Sequence, residues 1–259
     1  MDIVPLLHYN GKKIFYELNE SKLKEKAIIF VHGSGGSTYT WKDQISKLDV
    51  SYSVVAFDLP SHSKTEDFPS ISLDLYVETL KALLDTLKFN EIILAGHSLG
   101  GAVIQDFYFK YPNKVSALIL MGSGARLRVS QNIFKLTQHN FQGFLDQYPA
   151  AFDRKTSKEI YEPVVNRVAL INPEVIYTDY KICDNFDIMD KVQEISVPCL
   201  IICGNQDILT PPKYAKYFHD KIKSSELVLI NRAGHFVMLE KPEEVNQAIK
   251  EFINKYLFV

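Results

Sequence analysis

The chain has 259 residues, of which 46% are hydrophobic and 23% are charged, and its formal net charge is −2. This length suits a single α/β domain with a large apolar core. The balanced charge, without long runs of one sign, argues against a nucleic-acid partner or an anionic membrane surface. No apolar stretch approaches the roughly 20 residues of a membrane helix. Residues 1–8 lack the basic region of a signal peptide, and we expect a cytoplasmic protein.

Short apolar runs predict the strands of a sheet. Two of them, Leu6–Tyr9 and Lys13–Leu18, flank Asn10-Gly11, a strong signal for a hairpin. The others are continuous runs rich in branched residues, as expected for strands buried on both faces of a parallel sheet. These runs are Ala27–Val31, Tyr52–Phe57, Glu91–Ala95, Val115–Met121, Val197–Cys203 and Glu226–Ile230.

Helical stretches separate these strands. Ser72–Leu87 opens with a serine in the cap position and repeats apolar residues at helical spacing. The helix that follows the strand Glu91–Ala95 is expected to end at Tyr111, because Pro112 cannot continue it. Pro211–Lys221 and Pro242–Tyr256 open with proline, which is favoured in the first turn. The alternation predicts an α/β fold, with a mostly parallel eight-stranded sheet, helices on both faces and an antiparallel hairpin at one edge.

Between Met121 and Val197 no buried-strand pattern appears. A structureless loop of that length is not expected inside a compact domain. We therefore predict a helical cap, residues 126–189, inserted after strand 6, and a core formed by residues 1–125 and 190–259. The aromatic residues of the cap are expected either to line a hydrophobic pocket or to pack the cap onto the sheet: Phe134, Phe141, Phe144, Tyr148, Phe152 and Tyr161.

The three cysteines, Cys183, Cys199 and Cys203, are an odd number without metal-like spacing. Cys199 and Cys203 lie in one apolar stretch, where cysteine acts as a small hydrophobic residue. We expect reduced thiols that bind no metal.

The segment Gly96–Gly100, Gly-His-Ser-Leu-Gly, joins a strand to a helix. In this context Gly-x-Ser-x-Gly makes a sharp turn that strains the serine backbone. A Cβ at either glycine would collide with the neighbouring strand or helix. The turn presents the Ser98 hydroxyl at a helix N-terminus, which favours developing negative charge.

A nucleophilic serine needs a base, and the base needs a third group to orient it. In an open α/β sheet such groups come from loops at the carboxyl ends of strands. Asp207 follows the strand Val197–Cys203, and His235 follows the strand Glu226–Ile230. We predict Ser98 as nucleophile, His235 as base and Asp207 as the acid that orients it.

The chain order serine, acid, histidine resembles that of the α/β-hydrolases. The likeness runs from about Ala27 to Tyr256, and the cap matches least. Family members often carry a His-Gly motif after the third strand, here His32–Gly36. The resemblance implies that the backbone N–H groups of Ser34 and Leu99 form the oxyanion hole. It implies no cofactor and no metal.

One loop departs from the family pattern. After Tyr52–Phe57 the family often has Asp-x-Pro-Gly-x-Gly-x-Ser, whereas this chain has serine at both glycine positions, Ser61 and Ser63. If those glycines take positive φ, we expect the loop to be arranged differently here. Asp58 and His62 in this loop are not interpreted as a metal pair, because no third ligand is evident.

Three further residues keep two interpretations each. Arg126 and Arg128, near the start of the cap, are either solvated surface arginines or contacts for a carboxylate on the substrate. Trp41 either lines the pocket or packs the helix that follows the oxyanion loop.

The resemblance implies a serine hydrolase that cleaves small-molecule esters with small to medium acyl chains and is a monomer or a homodimer. Haloalkane dehalogenases and epoxide hydrolases place aspartate at the nucleophile position, so Ser98 argues against both. Carbon–carbon bond hydrolases share the triad and remain an alternative, as does a non-catalytic ligand-binding member of the fold. Thioesterase, lactonase, perhydrolase and acyl-transfer activities use the same machinery and are not separated by the sequence.

Overall fold

Eight strands form one sheet in the part of the chain that the computed structural model describes, residues 6–22 and 25–257. They are β1 (Leu6–Tyr9), β2 (Lys12–Asn19), β3 (Lys26–Val31), β4 (Ser53–Phe57), β5 (Glu91–His97), β6 (Ala117–Met121), β7 (Cys199–Gly204) and β8 (Ser225–Ile230). Their order is β1-β2-β4-β3-β5-β6-β7-β8. Only β1–β2 and β2–β4 pair antiparallel in these described ranges. The predicted fold class, with an antiparallel hairpin at one edge, is confirmed.

Helices connect the strands and cover the sheet. The α-helices within the described residues are α1 (Lys42–Lys47), α2 (Leu73–Leu87), α3 (Leu99–Lys110), α4 (Gln131–His139), α5 (Phe141–Gln147), α6 (Lys158–Val168), α7 (Pro173–Asn185), α8 (Pro212–Lys221), α9 (Val237–Glu240) and α10 (Pro242–Tyr256). Short 3₁₀ segments are Thr38–Trp41, Pro112–Lys114, Tyr148–Ala151 and Val192–Glu194.

The helix ends follow the local sequence signals. Ser72 caps α2, since its hydroxyl accepts a hydrogen bond from the Leu75 N–H at 3.1 Å. Helix α3 ends at Lys110, two residues before Pro112. Proline occupies the first turn of α8 and of α10.

Each central strand supplies side chains to both faces of the sheet. In β3, Ile29 and Val31 belong to one buried apolar cluster, and Ile28 and Phe30 belong to the other. All four side chains have no solvent-exposed surface. Because successive side chains point to opposite faces, a strand covered by helices on both sides reads as one continuous apolar run.

Strand β8 differs from the expectation of burial on both faces. Leu229 is 43% exposed, and most of the strand is half-buried. The reason is its place in the sheet, because β8 pairs only with β7 and forms an edge.

The inserted segment between β6 and β7 is helical, and its two ends are hydrogen-bonded to each other where they meet the core. The Ile188 N–H donates to the Ala125 carbonyl at 2.8 Å, and Arg126 Nε donates to Asp187 Oδ2 at 2.7 Å. The two ends of the insertion therefore lie side by side. The division of the chain into a core and a cap at residues 126 and 189 stays a prediction.

Within residues 6–22 and 25–257, none of the helices has the length and apolar character needed to cross a membrane. The expectation for residues 1–8 falls partly on residues 1–5, which lie outside the described residues. The cytoplasmic location stays a prediction.

Candidate active site

The turn after β5 holds Ser98 in a backbone conformation that is rare for a residue with a side chain. Its φ is 52° and its ψ is −116°. The Ser98 N–H donates to the Met121 carbonyl at 3.1 Å, and the Ser98 carbonyl accepts from Ser123 Oγ at 2.9 Å. These bonds fix the turn against the end of β6 and place Ser98 immediately before α3.

The glycines on either side of Ser98 allow a close approach of backbone to backbone. A Cβ on Gly96 would lie 2.4 Å from the carbonyl oxygen of Gly100. A Cβ on Gly100 would lie 2.1 Å from the carbonyl oxygen of Val31 in β3. Both distances are far below van der Waals contact, so the turn requires glycine at both positions.

The loops after β7 and β8 bring Asp207 and His235 together. His235 Nδ1 lies 2.9 Å from Asp207 Oδ2, and Thr210 Oγ1 donates to the same oxygen at 2.7 Å. The backbone N–H groups of Leu209 and Thr210 donate to Asp207 Oδ1, each at 2.9 Å. When Nδ1 donates to the carboxylate, Nε2 of His235 is left as the acceptor, which is the form a general base needs.

The Asp207 carboxylate is stabilised in its charged form. Burial by itself raises the pKa, but the charge and hydrogen bond of His235, with the bonds from Thr210, lower the pKa of Asp207 overall. Gly122 leaves room for the pair, since a Cβ there would lie 3.3 Å from both Asp207 Oδ2 and His235 Nδ1. A buried carboxylate in this position orients the imidazole and stabilises an imidazolium.

The loop after β3 lies directly against Ser98. A Cβ on Gly33 would be 3.0 Å from the Ser98 Cβ. In the described ranges the backbone N–H groups of Ser34 and Leu99 donate to no backbone carbonyl. They are therefore free to donate to a substrate oxygen. The Ser34 hydroxyl is buried, has no hydrogen-bond partner within the described residues, and belongs to a residue that lines the same cavity as Ser98.

His97 makes a contact that sequence reasoning missed. Its Nε2 donates to the main-chain carbonyl of His235 at 3.0 Å, joining residues 138 positions apart. The two imidazole rings are 4.5 Å apart between centroids. Burial, followed by the neighbouring His235, lowers the pKa of His97 well below 6.5, so the ring is neutral. The only signal for this role is the position of His97 inside the Gly-x-Ser-x-Gly segment.

A cavity of about 460 Å³ opens over Ser98, between the end of the sheet and the inserted helices. Ser34, Ser98 and His235 line one side of it. Apolar and aromatic residues form much of the remaining lining: Leu127, Ile133, Phe144, Tyr148, Tyr180 and Phe236. Of the cap aromatics weighed from the sequence, Phe144 and Tyr148 thus line the cavity.

The structure distinguishes between the two interpretations that the sequence left open for Trp41, Arg126 and Arg128. Trp41 is fully buried, packs 4.7 Å from the ring of Phe30, and is not part of the cavity wall. Arg126 is exposed and is held by Asp187. Arg128 lines the cavity, so a contact with a substrate carboxylate stays open for this residue alone.

The loop after β4 keeps positive φ despite its serines. Ser61 has a φ of 65° and Ser63 a φ of 50°. The expected rearrangement of the loop is therefore wrong, because the serines themselves adopt the left-handed conformation. The Ser61 hydroxyl accepts from the Phe68 N–H at 2.9 Å, and the Lys64 N–H donates to Asp58 Oδ2 at 3.0 Å. These bonds offset the strain.

His62 in this loop pairs with a residue of the cap. Its Nε2 lies 3.0 Å from Asp179 Oδ2, and the Tyr76 hydroxyl donates to Asp179 Oδ1 at 2.7 Å. All three side chains are fully buried. Sequence reasoning missed this pair because Asp179 lies 117 positions further along the chain.

The described residues contain no group of three or more histidine, cysteine or acidic side chains that would hold a metal ion.

A comparison of the sequence with models of known protein families agrees with the fold and with the geometry around Ser98. The model of the alpha/beta hydrolase family matches residues 28–248, which is most of the chain. The protein therefore belongs to the α/β-hydrolase family.

Known members of the family include esterases. A solved structure of a thermophilic esterase superimposes with a TM-score of 0.86 and 33% sequence identity, covering 98% of each chain. The pimeloyl-[acyl-carrier protein] methyl ester esterase of Neisseria meningitidis serogroup A is 24% identical over 250 residues, 90% of this chain and 78% of that protein. The 2-hydroxy-6-oxononadienedioate/2-hydroxy-6-oxononatrienedioate hydrolase of Paraburkholderia phymatum is 23% identical over 276 residues, 95% of this chain and 93% of that protein. The chain is thus a hydrolase with esterases among its relatives.

Proposed function

We propose that the protein is a carboxylesterase-type serine hydrolase that cleaves esters of small to medium acyl chains through an acyl-enzyme on Ser98. The observation that carries the proposal is that Ser98, His235 and Ser34 line one cavity, while His235 is bonded to the buried carboxylate of Asp207. The esterases among the relatives support the same reaction.

The mechanism follows from these positions. His235 Nε2 takes the proton of Ser98 as Oγ attacks the acyl carbon, and Asp207 stabilises the imidazolium that forms. The N–H groups of Ser34 and Leu99 hold the oxyanion of the tetrahedral intermediate. The C–O bond to the alcohol breaks, and the alcohol leaves with the proton from His235. Water then attacks the acyl carbon and gives a proton to His235. The bond between the acyl carbon and Ser98 Oγ breaks, Oγ takes the proton back from His235, and the acid leaves.

The size of the substrate follows from the cavity. A cavity of about 460 Å³ lies in the lower part of the range for small-molecule sites. The inserted helices form its far wall, so a long acyl chain has to leave the cavity for solvent. We propose that turnover is fastest for esters with short or medium acyl chains. We also propose that the enzyme uses no cofactor or metal and is a cytoplasmic monomer or homodimer.

The test is steady-state hydrolysis of p-nitrophenyl esters from acetate to palmitate, with wild type beside Ser98→Ala. We expect turnover that peaks at short or medium chains and a loss of activity of roughly 10⁶-fold in the variant. A fluorophosphonate should label the wild type stoichiometrically and leave Ser98→Ala unlabelled. Turnover that survives in Ser98→Ala contradicts the proposal.

Carbon–carbon bond hydrolysis is the second candidate, because the Paraburkholderia phymatum relative matches nearly the full length of both proteins. It is favoured if no ester turns over while Ser98 is still labelled. A chain that is neither active nor labelled is instead a non-catalytic binding protein of the same fold.

A further inference from the structure

Two tyrosines of the inserted segment line the cavity with Ser98. Tyr148 opens the 3₁₀ segment after α5, and Tyr180 lies on α7. The ring of Phe144 packs against both, edge to face, with centroids 5.6 Å from Tyr148 and 5.9 Å from Tyr180. Tyr148 also contacts the ring of Phe236 at 5.8 Å. These contacts hold both phenol rings in place in the cavity wall.

Neither hydroxyl has a hydrogen-bond partner among residues 6–22 and 25–257, although other shielded phenols of the protein do. The Tyr76 hydroxyl donates to Asp179 Oδ1 at 2.7 Å, and the Tyr108 hydroxyl lies 3.0 Å from Ser196 Oγ. Tyr148 and Tyr180 are half-buried and line the cavity, so a ligand that fills the cavity takes solvent away from hydroxyls that have no partner in the protein, which costs free energy. In the cavity the natural partner is a group on the ligand.

The pKa values of the two phenols indicate which role their hydroxyls take in a hydrogen bond with a ligand. Burial, and after it the charge of Asp179, raises the pKa of Tyr148. Burial also raises the pKa of Tyr180, with further effects from Tyr148, Cys183 and Asp179. Both phenols therefore stay protonated and act as donors at neutral pH. A phenol hydroxyl is an uncharged hydrogen-bond donor, so the acceptor that matches it is a neutral oxygen. Arg128 lines the same cavity, so a carboxylate is the competing acceptor that the test has to include.

We propose that Tyr148 and Tyr180 make the enzyme selective for esters whose acyl chain carries a neutral oxygen, a ketone or a hydroxyl, away from the scissile carbonyl. This inference rests on the proposed function and names its substrate class. An oxygen at that place accepts a hydrogen bond from the phenols. A plain hydrocarbon chain fills the same space but leaves both donors unmet, and sites built for a polar group reject analogues that lack it.

The test uses three matched pairs of ethyl esters, assayed by pH-stat: pentanoate with 4-oxopentanoate, hexanoate with 5-oxohexanoate, and heptanoate with 6-oxoheptanoate. The three pairs place the ketone at increasing distances from the ester. We expect wild type to prefer the oxo ester of at least one pair by about 10-fold or more in kcat/KM. Tyr148→Phe and Tyr180→Phe, alone and together, keep the ring packing and should reduce that ratio towards one by lowering kcat/KM for the oxo ester.

Tyr161→Phe is the matched control, because Tyr161 belongs to the inserted segment but not to the cavity wall. It should leave every ratio unchanged. The inference is overturned if no oxo ester is preferred, or if the preference survives the double variant. It is also overturned if monoethyl glutarate, which carries a carboxylate in place of the acetyl group, is preferred over ethyl 5-oxohexanoate. If wild type hydrolyses neither member of any pair and none of the p-nitrophenyl esters, the proposed function itself has failed.

Discussion

Ser98 carries the backbone strain of the site in a single residue. Its φ of 52° and ψ of −116° form the mirror image of a conformation that ordinary residues favour, and only glycine adopts the mirror form freely. Strain of this kind costs about 1–3 kcal/mol and persists because the surroundings enforce it. Here the surroundings are the hydrogen bonds of the turn to Met121 and Ser123.

The strain predicts a difference in stability between two variants that lack the proposed nucleophile. Ser98→Gly removes both the nucleophile and the strain, whereas Ser98→Ala removes the nucleophile and keeps the Cβ. We expect Ser98→Gly to be more stable than Ser98→Ala by about 0.5–2 kcal/mol, after the extra entropy of glycine in the unfolded chain is subtracted. Guanidinium unfolding of the two variants measures the difference. Equal stabilities would show that the turn is not strained.

The proposed role of Asp207 predicts a large kinetic effect from a small change. Asp207→Asn keeps the shape of the side chain but removes the charge that orients the His235 tautomer, so we expect kcat to fall about 10⁴-fold. The measurement is p-nitrophenyl ester hydrolysis, with far-ultraviolet circular dichroism to show that the fold is kept. Asp106→Asn is the control, since Asp106 pairs with Lys110 on the surface of α3 at 2.9 Å. A loss of less than 10-fold in Asp207→Asn would assign the acid to another residue.

At the scale of the elements, helix α7 is joined to the core by the buried pair of His62 and Asp179. His62, in the loop after β4, faces Asp179 of α7, Tyr76 of α2, His32 of the loop after β3, and Asp58 of its own loop. Burial alone lowers the pKa of His62, but the charge and hydrogen bond of Asp179 raise it above 6.5 overall. The pair therefore binds a proton more tightly in the folded protein than in the unfolded chain.

This pKa predicts how stability changes with pH. A group whose pKa is raised on folding stabilises fully below its unfolded value, 6.5 for histidine, and loses that contribution as the pH rises through the folded value. We expect the difference in Tm between wild type and His62→Gln to be larger near about pH 6 than near about pH 9. Thermal unfolding at both pH values measures it. A difference that grows with pH would contradict the assignment.

On the scale of the whole molecule, the sequence predicted the sheet better than the cavity. Runs such as Ala27–Val31 are continuous because both faces are covered, and prolines such as Pro112 limit the helices. Ser98, Asp207 and His235 follow strand ends, which the topology brings to one edge. Much of the cavity lining comes from inserted helices whose packing is set by distant contacts, and Tyr180 has no local pattern that marks it as a cavity residue.

The compact core also predicts the reactivity of the thiols. Cys183, Cys199 and Cys203 are all buried, and burial raises the pKa of Cys203 to about 12. Burial raises the pKa of the other two thiols as well. We expect no reaction with Ellman's reagent in the native protein and three thiols titrated in guanidinium, because the thiolate is the reactive form. Rapid labelling of Cys199 or Cys203, which do not line the cavity, in the native state would show that their surroundings open.

The hydrogen bond between His97 and His235 has a consequence for synthesis of the chain. It joins residues 138 positions apart, so the ribosome makes the nucleophilic turn long before the loop that carries the base. At about 5–20 residues per second, the delay is on the order of 10 s. Throughout that interval the nascent chain carries a serine without a base to activate it. On the proposed mechanism, hydrolysis therefore begins only after the loop that carries His235 has emerged and folded, and fragments that stop before His235 should be inert.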